Sequence, residues 1–115
     1  MNHFLKISFA LSALAASCVV SAQNTRDAEL ASHDRELNQT YRSLMGRLDT
    51  EGQNALRTSQ RLWIQFRDAD CEVAYSDKRD CLIDRTISRN RQLRESYFWD
   101  RDGNYFQLGS KNSSY

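Results

Sequence analysis

The sequence predicts an all-α fold, a three-helix antiparallel bundle, and three observations carry that expectation. The 115 residues include no proline and only 4 glycines, so the usual helix breakers are scarce. Three successive stretches repeat apolar residues at three- and four-residue spacings, the period of a helix with one buried face. Cys71 and Cys81 fall between the second and third stretches, where a bond between them joins the end of one helix to the start of the next.

The first 22 residues read as an export signal. Met1 to Lys6 is a short basic start, Ile7 to Val20 is apolar or small, and Val20-Ser21-Ala22 fits a signal-peptidase site. The apolar run is too short for a stable membrane span. The expected organisation is therefore a signal peptide over 1–22, a helical domain over 23–100 and a flexible C-terminal tail over 101–115, with export to the periplasm or the exterior. A competing reading takes Leu14-Ala15-Ala16-Ser17-Cys18 as a lipoprotein site, which leaves Cys18 lipidated and the chain membrane-anchored. Cleavage after Ala22 instead leaves an even number of cysteines.

The first helix is expected from about Thr25 to Leu48, where Leu30, Leu37, Tyr41, Leu44 and Leu48 share one stripe. Asp27 and Glu29 suit its positive N-terminal end. Thr50 with Gln53 has the spacing of a capping box and opens the second helix. That helix carries Leu56, Ser59, Trp63, Phe66, Asp70 and Val73 on one stripe, with Trp63 and Phe66 expected in the core. Asp80 or a neighbour caps the third helix. Its stripe is Leu82, Thr86, Arg89, Leu93 and Tyr97, and it is expected to end near Trp99. Beyond Arg101 the composition turns to Gly, Asn and Ser, hence the expected loose tail.

Removing the signal takes away one Lys and no acid, so the mature part carries no net charge, which argues against nucleic acid as a partner. Arginine far outnumbers lysine, and guanidinium groups pair well with carboxylates inside a fold. Arg67 and Arg89 are accordingly expected to bury their stems and pair with acids such as Asp70 or Asp34. Thr86 is expected to bond back to its preceding helical turn rather than act as a nucleophile, since no base is placed to activate it. His33 is a helix-surface residue with too few neighbouring ligand types for a metal site. No catalytic set, metal or cofactor is expected.

An exported chain meets an oxidising compartment, and Cys71 and Cys81 lack the two-residue gap of redox motifs, so they are expected to form a structural disulfide. Closing that short loop contributes about 2.5–3 kcal/mol. Around it, Asp68 to Asp84 holds six acids against Lys78 and Arg79, a net charge of −4. This braced segment, with Asp70, Glu72, Tyr75, Asp77, Lys78, Arg79 and Asp80, is the candidate partner-binding loop. Acids near the start of the third helix and bases further along also match its dipole.

The pattern from Tyr41 through Gln60, Trp63, Phe66-Arg67-Asp68 and Cys71, then Cys81-Leu82, Thr86, Arg89 and Leu93, resembles the lysozyme inhibitor LprI-like family of small secreted or lipid-anchored bacterial proteins. The likeness runs from Asp34 to Tyr97. It implies a helical, disulfide-linked binding protein, not an enzyme, that inhibits a cell-wall hydrolase, most simply lysozyme. Longer members carry another cysteine pair near the domain start, and Gln23 to Asp34 has none here. The alternative is an envelope interaction module without inhibitory activity, and a third reading is immunity against a wall-degrading toxin.

Overall fold

The computed structural model describes residues 10–74 and 77–109, with side chains from residue 25 onward. Its elements are α1 (Ala10–Met45), α2 (Thr50–Val73) and α3 (Lys78–Glu95), then β1 (Phe98–Trp99) and β2 (Tyr105–Phe106). Consecutive helices run antiparallel, so α1 and α3 lie parallel. Asp27, midway along α1, meets Arg79 at the start of α3, and Thr40 meets Asn90 further along both helices. The expected three-helix bundle is the observed fold, and the Cys71–Cys81 disulfide joins the end of α2 to the start of α3.

The helix limits differ from expectation in physically simple ways. Nothing between Ala10 and Thr25 breaks a helix, and this Ala- and Leu-rich stretch continues into α1 without interruption. α1 stops at Met45, and Leu48 reaches the core from the turn that follows. The N-cap of α2 is Asp49 rather than Thr50, because its carboxylate accepts from the Gly52 N–H at 2.8 Å. Gln53 bonds outward instead, donating from Nε2 to the Met45 carbonyl at 2.9 Å and closing the α1–α2 turn. Asp77, not Asp80, caps α3 by accepting from the Arg79 N–H. Glu95 ends that helix, since Ser96 turns to extended backbone, and Tyr97 is left exposed.

The core consists of Leu37, Leu44, Leu48, Leu56, Leu93 and Phe106, flanked by Tyr41, Met45, Trp63, Phe98 and Leu108. Phe106 belongs to the segment expected to be a loose tail, and that expectation fails for residues 101–109. The aromatic pairs Phe98-Trp99 and Tyr105-Phe106 form an antiparallel hairpin, with Phe98 opposite Phe106 and Trp99 opposite Tyr105. Asp100 organises its turn, Oδ1 accepting from the N–H groups of Asp102 and Asn104, and Gly103 supplies a φ of 80° that other residues adopt only with strain. Arg101 Nε donates to the Leu48 carbonyl, Gln107 Nε2 to the Glu95 carbonyl, and the Arg47 guanidinium lies 3.8 Å above the Phe106 ring. The hairpin is thus latched over the α1–α2 turn. Residues 110–115 lie outside the described residues.

A second correction concerns α2. Phe66 is 61% exposed and Val73 86%, so neither belongs to the core, while Trp63 is half-buried against it. The buried face of α2 carries Leu56, Gln60 and Cys71. Phe106→Ala is expected to cost about 3–4 kcal/mol in urea unfolding, the range of a large core aromatic, whereas Tyr105→Ala should cost less than about 1 kcal/mol. Equal and negligible effects from both would return the segment to a dispensable tail.

Candidate protein-binding site

At the disulfide end of the bundle the Cα atoms of Cys71 and Cys81 are 5.5 Å apart and both residues are buried. Every described charge of the candidate loop is engaged within the chain. Asp70 accepts from Arg85 Nε at 2.8 Å, Lys78 pairs with Glu72, and Asp77 caps α3. Arg79 Nε donates to Asp27 of α1 at 2.5 Å, and Asp80 pairs with Arg26 of α1. The hydrogen bond from Asp27, followed by its charge, raises the Arg79 pKa above the ordinary arginine value. The Arg26–Asp27 turn of α1 is therefore ionically tied to the start of α3. Tyr75 lies outside the described residues, as do the side chain of Cys18 and residues 1–9.

One helical turn along α2 from Cys71, Arg67 connects all three helices. From α2 its Nη1 donates to Asp34 Oδ1 of α1 and to Thr86 Oγ1 of α3, each at 3.2 Å, while Nε donates to Asp68 Oδ1. Thr86, 0% exposed, donates its hydroxyl to the Leu82 carbonyl at 2.7 Å, the back-bond that its position on the stripe predicts. The Arg67–Asp34 pairing matches expectation. The Arg67 guanidinium also lies 5.2 Å from the centre of the Trp63 ring.

Arg89 departs from expectation. It is buried and pairs with no acid among the described residues. Its three hydrogen bonds go from Nε to Gln60 Oε1, from Nη1 to Gln92 Oε1 and from Nη2 to Ser59 Oγ. Its pKa is lowered from the usual arginine value by burial, with no carboxylate to offset it. Arginine stays protonated in proteins, so the imbalance is felt as a desolvation cost. The missing acid follows from rotation: Asp70 turns to Arg85 and Asp34 to Arg67, while neutral Gln60 and Ser59 face Arg89.

Arg89 lines a groove of about 670 Å³ between the first half of α2 and the stretch from the end of α3 to β1. Helical periodicity does not mark this groove as a whole. The aromatic run Tyr97-Phe98-Trp99 beside the polar end of α3 was the signal for one wall. Along the α2 surface, Leu62, Phe66 and Val73 form an exposed apolar row. Among the described residues, no group of His, Cys, Asp or Glu could hold a metal ion, and no helix is long and apolar enough to cross a membrane.

The family model described as "Lysozyme inhibitor LprI" matches residues 13–93, which span the disulfide, the Arg67 junction and most of α3. The chain belongs to the LprI family. A relative from Escherichia coli (strain K12), the uncharacterized protein YecT, is 35% identical over 95 residues, covering 67% of this chain and 59% of the relative. The chain therefore spans less than two thirds of that relative's length. No solved structure matches it. In this LprI-family chain the matched pattern is chiefly a set of inter-helix contacts: Gln60, Arg67, Thr86 and Arg89 bond to one another or to neighbouring helices, and Leu93 packs in the core.

These contacts carry a measurable share of stability. Thr86→Val, which removes one hydroxyl from the Arg67 junction, is expected to cost about 1–2 kcal/mol. Gln60→Leu, which strips the acceptor from a buried cation, should cost more, about 2–3 kcal/mol. Urea unfolding of the oxidised chain checks both, and a reversed order would show that Arg89 does not depend on Gln60.

Proposed function

We propose that this chain is an exported, non-enzymatic protein that blocks a peptidoglycan hydrolase, most directly a lysozyme, by forming a stoichiometric complex in the periplasm or outside the cell. The observation that carries the reading is the acidic, disulfide-clamped end of the bundle, taken together with membership of the LprI family. Animal-type lysozymes are basic, and an acidic surface steers such a partner and speeds its association. Exposed Asp68, Glu72, Asp77 and Asp84 supply that surface. The clamp and the ion pairs to Arg26 and Asp27 hold it in shape, so little entropy is lost on docking.

The ion pairs also refine the contact. Lys78 and Arg79 each already have a carboxylate partner, Glu72 and Asp27. Inserting either cation between the two catalytic carboxyls of a lysozyme cleft exchanges an internal pair for an intermolecular one. Lys78 is the easier to release, because its link spans the same exposed turn, whereas Arg79 helps hold α1 to α3. The second reading, an envelope interaction module without inhibition, is favoured by the exposed Leu62, Phe66 and Val73 row, which suits a protein contact of its own.

Titrating the oxidised chain into a lysozyme cell-wall clearing assay should give inhibition that saturates near one-to-one. Combining Glu72→Lys with Asp84→Lys should slow association about tenfold or more at low salt, with less effect at high salt. Lys78→Ala should hasten dissociation. Unchanged binding and inhibition in both variants would move the contact elsewhere on the bundle. No inhibition of any lysozyme, with a stable dimer by light scattering that Phe66→Glu disrupts, would favour the interaction module.

A further inference from the structure

The groove over Arg89 has a chemistry that the lysozyme reading does not use. Arg89 is 9% exposed, yet it faces a cavity of about 670 Å³, within the size range of small-molecule sites. A buried charge without an opposite charge is costly, and folds ordinarily supply one. Here neutral oxygens of Gln60, Gln92 and Ser59 take one N–H from each nitrogen of the guanidinium. Each terminal nitrogen carries a second N–H with no acceptor among the described residues. Ser59 and Gln92, the partners of the two terminal nitrogens, line the groove together with Arg89. Two donors on one planar guanidinium match the two oxygens of a carboxylate.

The walls specify the rest of the ligand. Ala55, Leu56, Leu93 and Phe98 are apolar, and Tyr97 and Trp99 stand exposed beside the opening. An apolar or aromatic body resting there buries surface on both sides. Asp49 and Glu51 also lie along the groove and disfavour a ligand with several negative charges, so a polyphosphate is a poor fit. The first turn of α2 offers no strong competing anion site, because Asp49 already occupies the Gly52 N–H.

We propose that this groove binds a ligand bearing a single carboxylate on an apolar or aromatic body, with the carboxylate paired to Arg89 and the body against Tyr97, Phe98 and Trp99. The site is at the opposite end of α2 from the disulfide and is independent of lysozyme binding. Two sources share the chemistry: a free organic acid, or the C-terminal carboxylate of a peptide ending in an apolar residue.

The test is NMR titration of the full oxidised, ¹⁵N-labelled chain with 3-phenylpropionate, its neutral amide 3-phenylpropanamide, and the peptide acetyl-Ala-Phe with a free or an amidated C-terminus. Both acids should shift the Arg89 Nε and Trp99 indole signals in a saturable way, and each neutral counterpart should bind at least about tenfold more weakly. Tighter binding of the peptide acid identifies a chain terminus as the natural ligand, and equal or weaker binding identifies a small acid. Ala55→Glu, an exposed helical position that leaves the fold intact, should abolish the acid-specific shifts while leaving the remaining spectrum in place. Acid and amide binding alike, no saturable shift at Arg89 at millimolar probe, or acid binding undiminished in Ala55→Glu would each overturn the proposal.

Discussion

Arg67 is the interaction on which the rest of the bundle depends. It is the one side chain among the described residues seen bonding from α2 to both α1 and α3, through Asp34 and Thr86. The apolar core is small and lies mostly toward the α1–α2 turn and the hairpin, where Leu44, Leu48, Leu56, Leu93 and Phe106 meet. Toward the disulfide the helices are held by directional contacts instead. A fixed guanidinium fork cannot slide by a helical turn as apolar side chains can, so it sets the rotation and register of three helices at once. The covalent Cys71–Cys81 link then holds the α2–α3 end, and Arg26 and Asp27 draw α1 onto it.

That arrangement explains which parts of the fold were legible in the sequence. The three helices and the disulfide followed from periodicity, absent breakers and close cysteines, all of them local signals. The buried face of α2 did not follow, because the helix carries a mixed row and a more apolar row about one residue apart. Leu56, Gln60, Trp63, Arg67 and Cys71 advance by 4-3-4-4, whereas Leu62, Phe66, Ala69 and Val73 form the second row. Hydropathy favours the second row, yet it is exposed. The cysteine decides between them: a residue bonded to α3 must face α3, and Leu56, Gln60 and Trp63 share its side of the helix. Covalent geometry thus overrode hydropathy, and reading the phase of the helix from Cys71 would have placed Phe66 outside.

The hairpin was legible too, under a different rule. Asp102-Gly103 between Phe98-Trp99 and Tyr105-Phe106 is a turn dipeptide flanked by aromatic pairs, a hairpin signal that polar composition masked. The partners of Arg89 were a harder matter. Which acid faces which arginine depends on relative helix rotation, and a difference of one residue assigns Asp70 to Arg85 and leaves Arg89 with amides and a hydroxyl. No single-sequence pattern encodes that rotation.

The two ends of α2 consequently have different electrostatic character, and that difference bears on binding. At the disulfide end, opposite charges are matched pair by pair, so the surface is acidic in sum yet locally satisfied. Such a surface guides a basic partner at long range and resists rearrangement on contact. At the other end, a buried cation sits under an apolar groove with only neutral partners. Its interaction with an anion is short-ranged and strengthened by poor hydration, so it favours a small, shape-matched group over a protein surface. The same helix therefore carries a broad surface tuned by net charge and a narrow site tuned by one unbalanced guanidinium. Between the two ends the Trp63 ring centre lies 5.2 Å from the Arg67 guanidinium and 5.8 Å from that of Arg89, so the junction and the groove-lining Arg89 share one aromatic side chain.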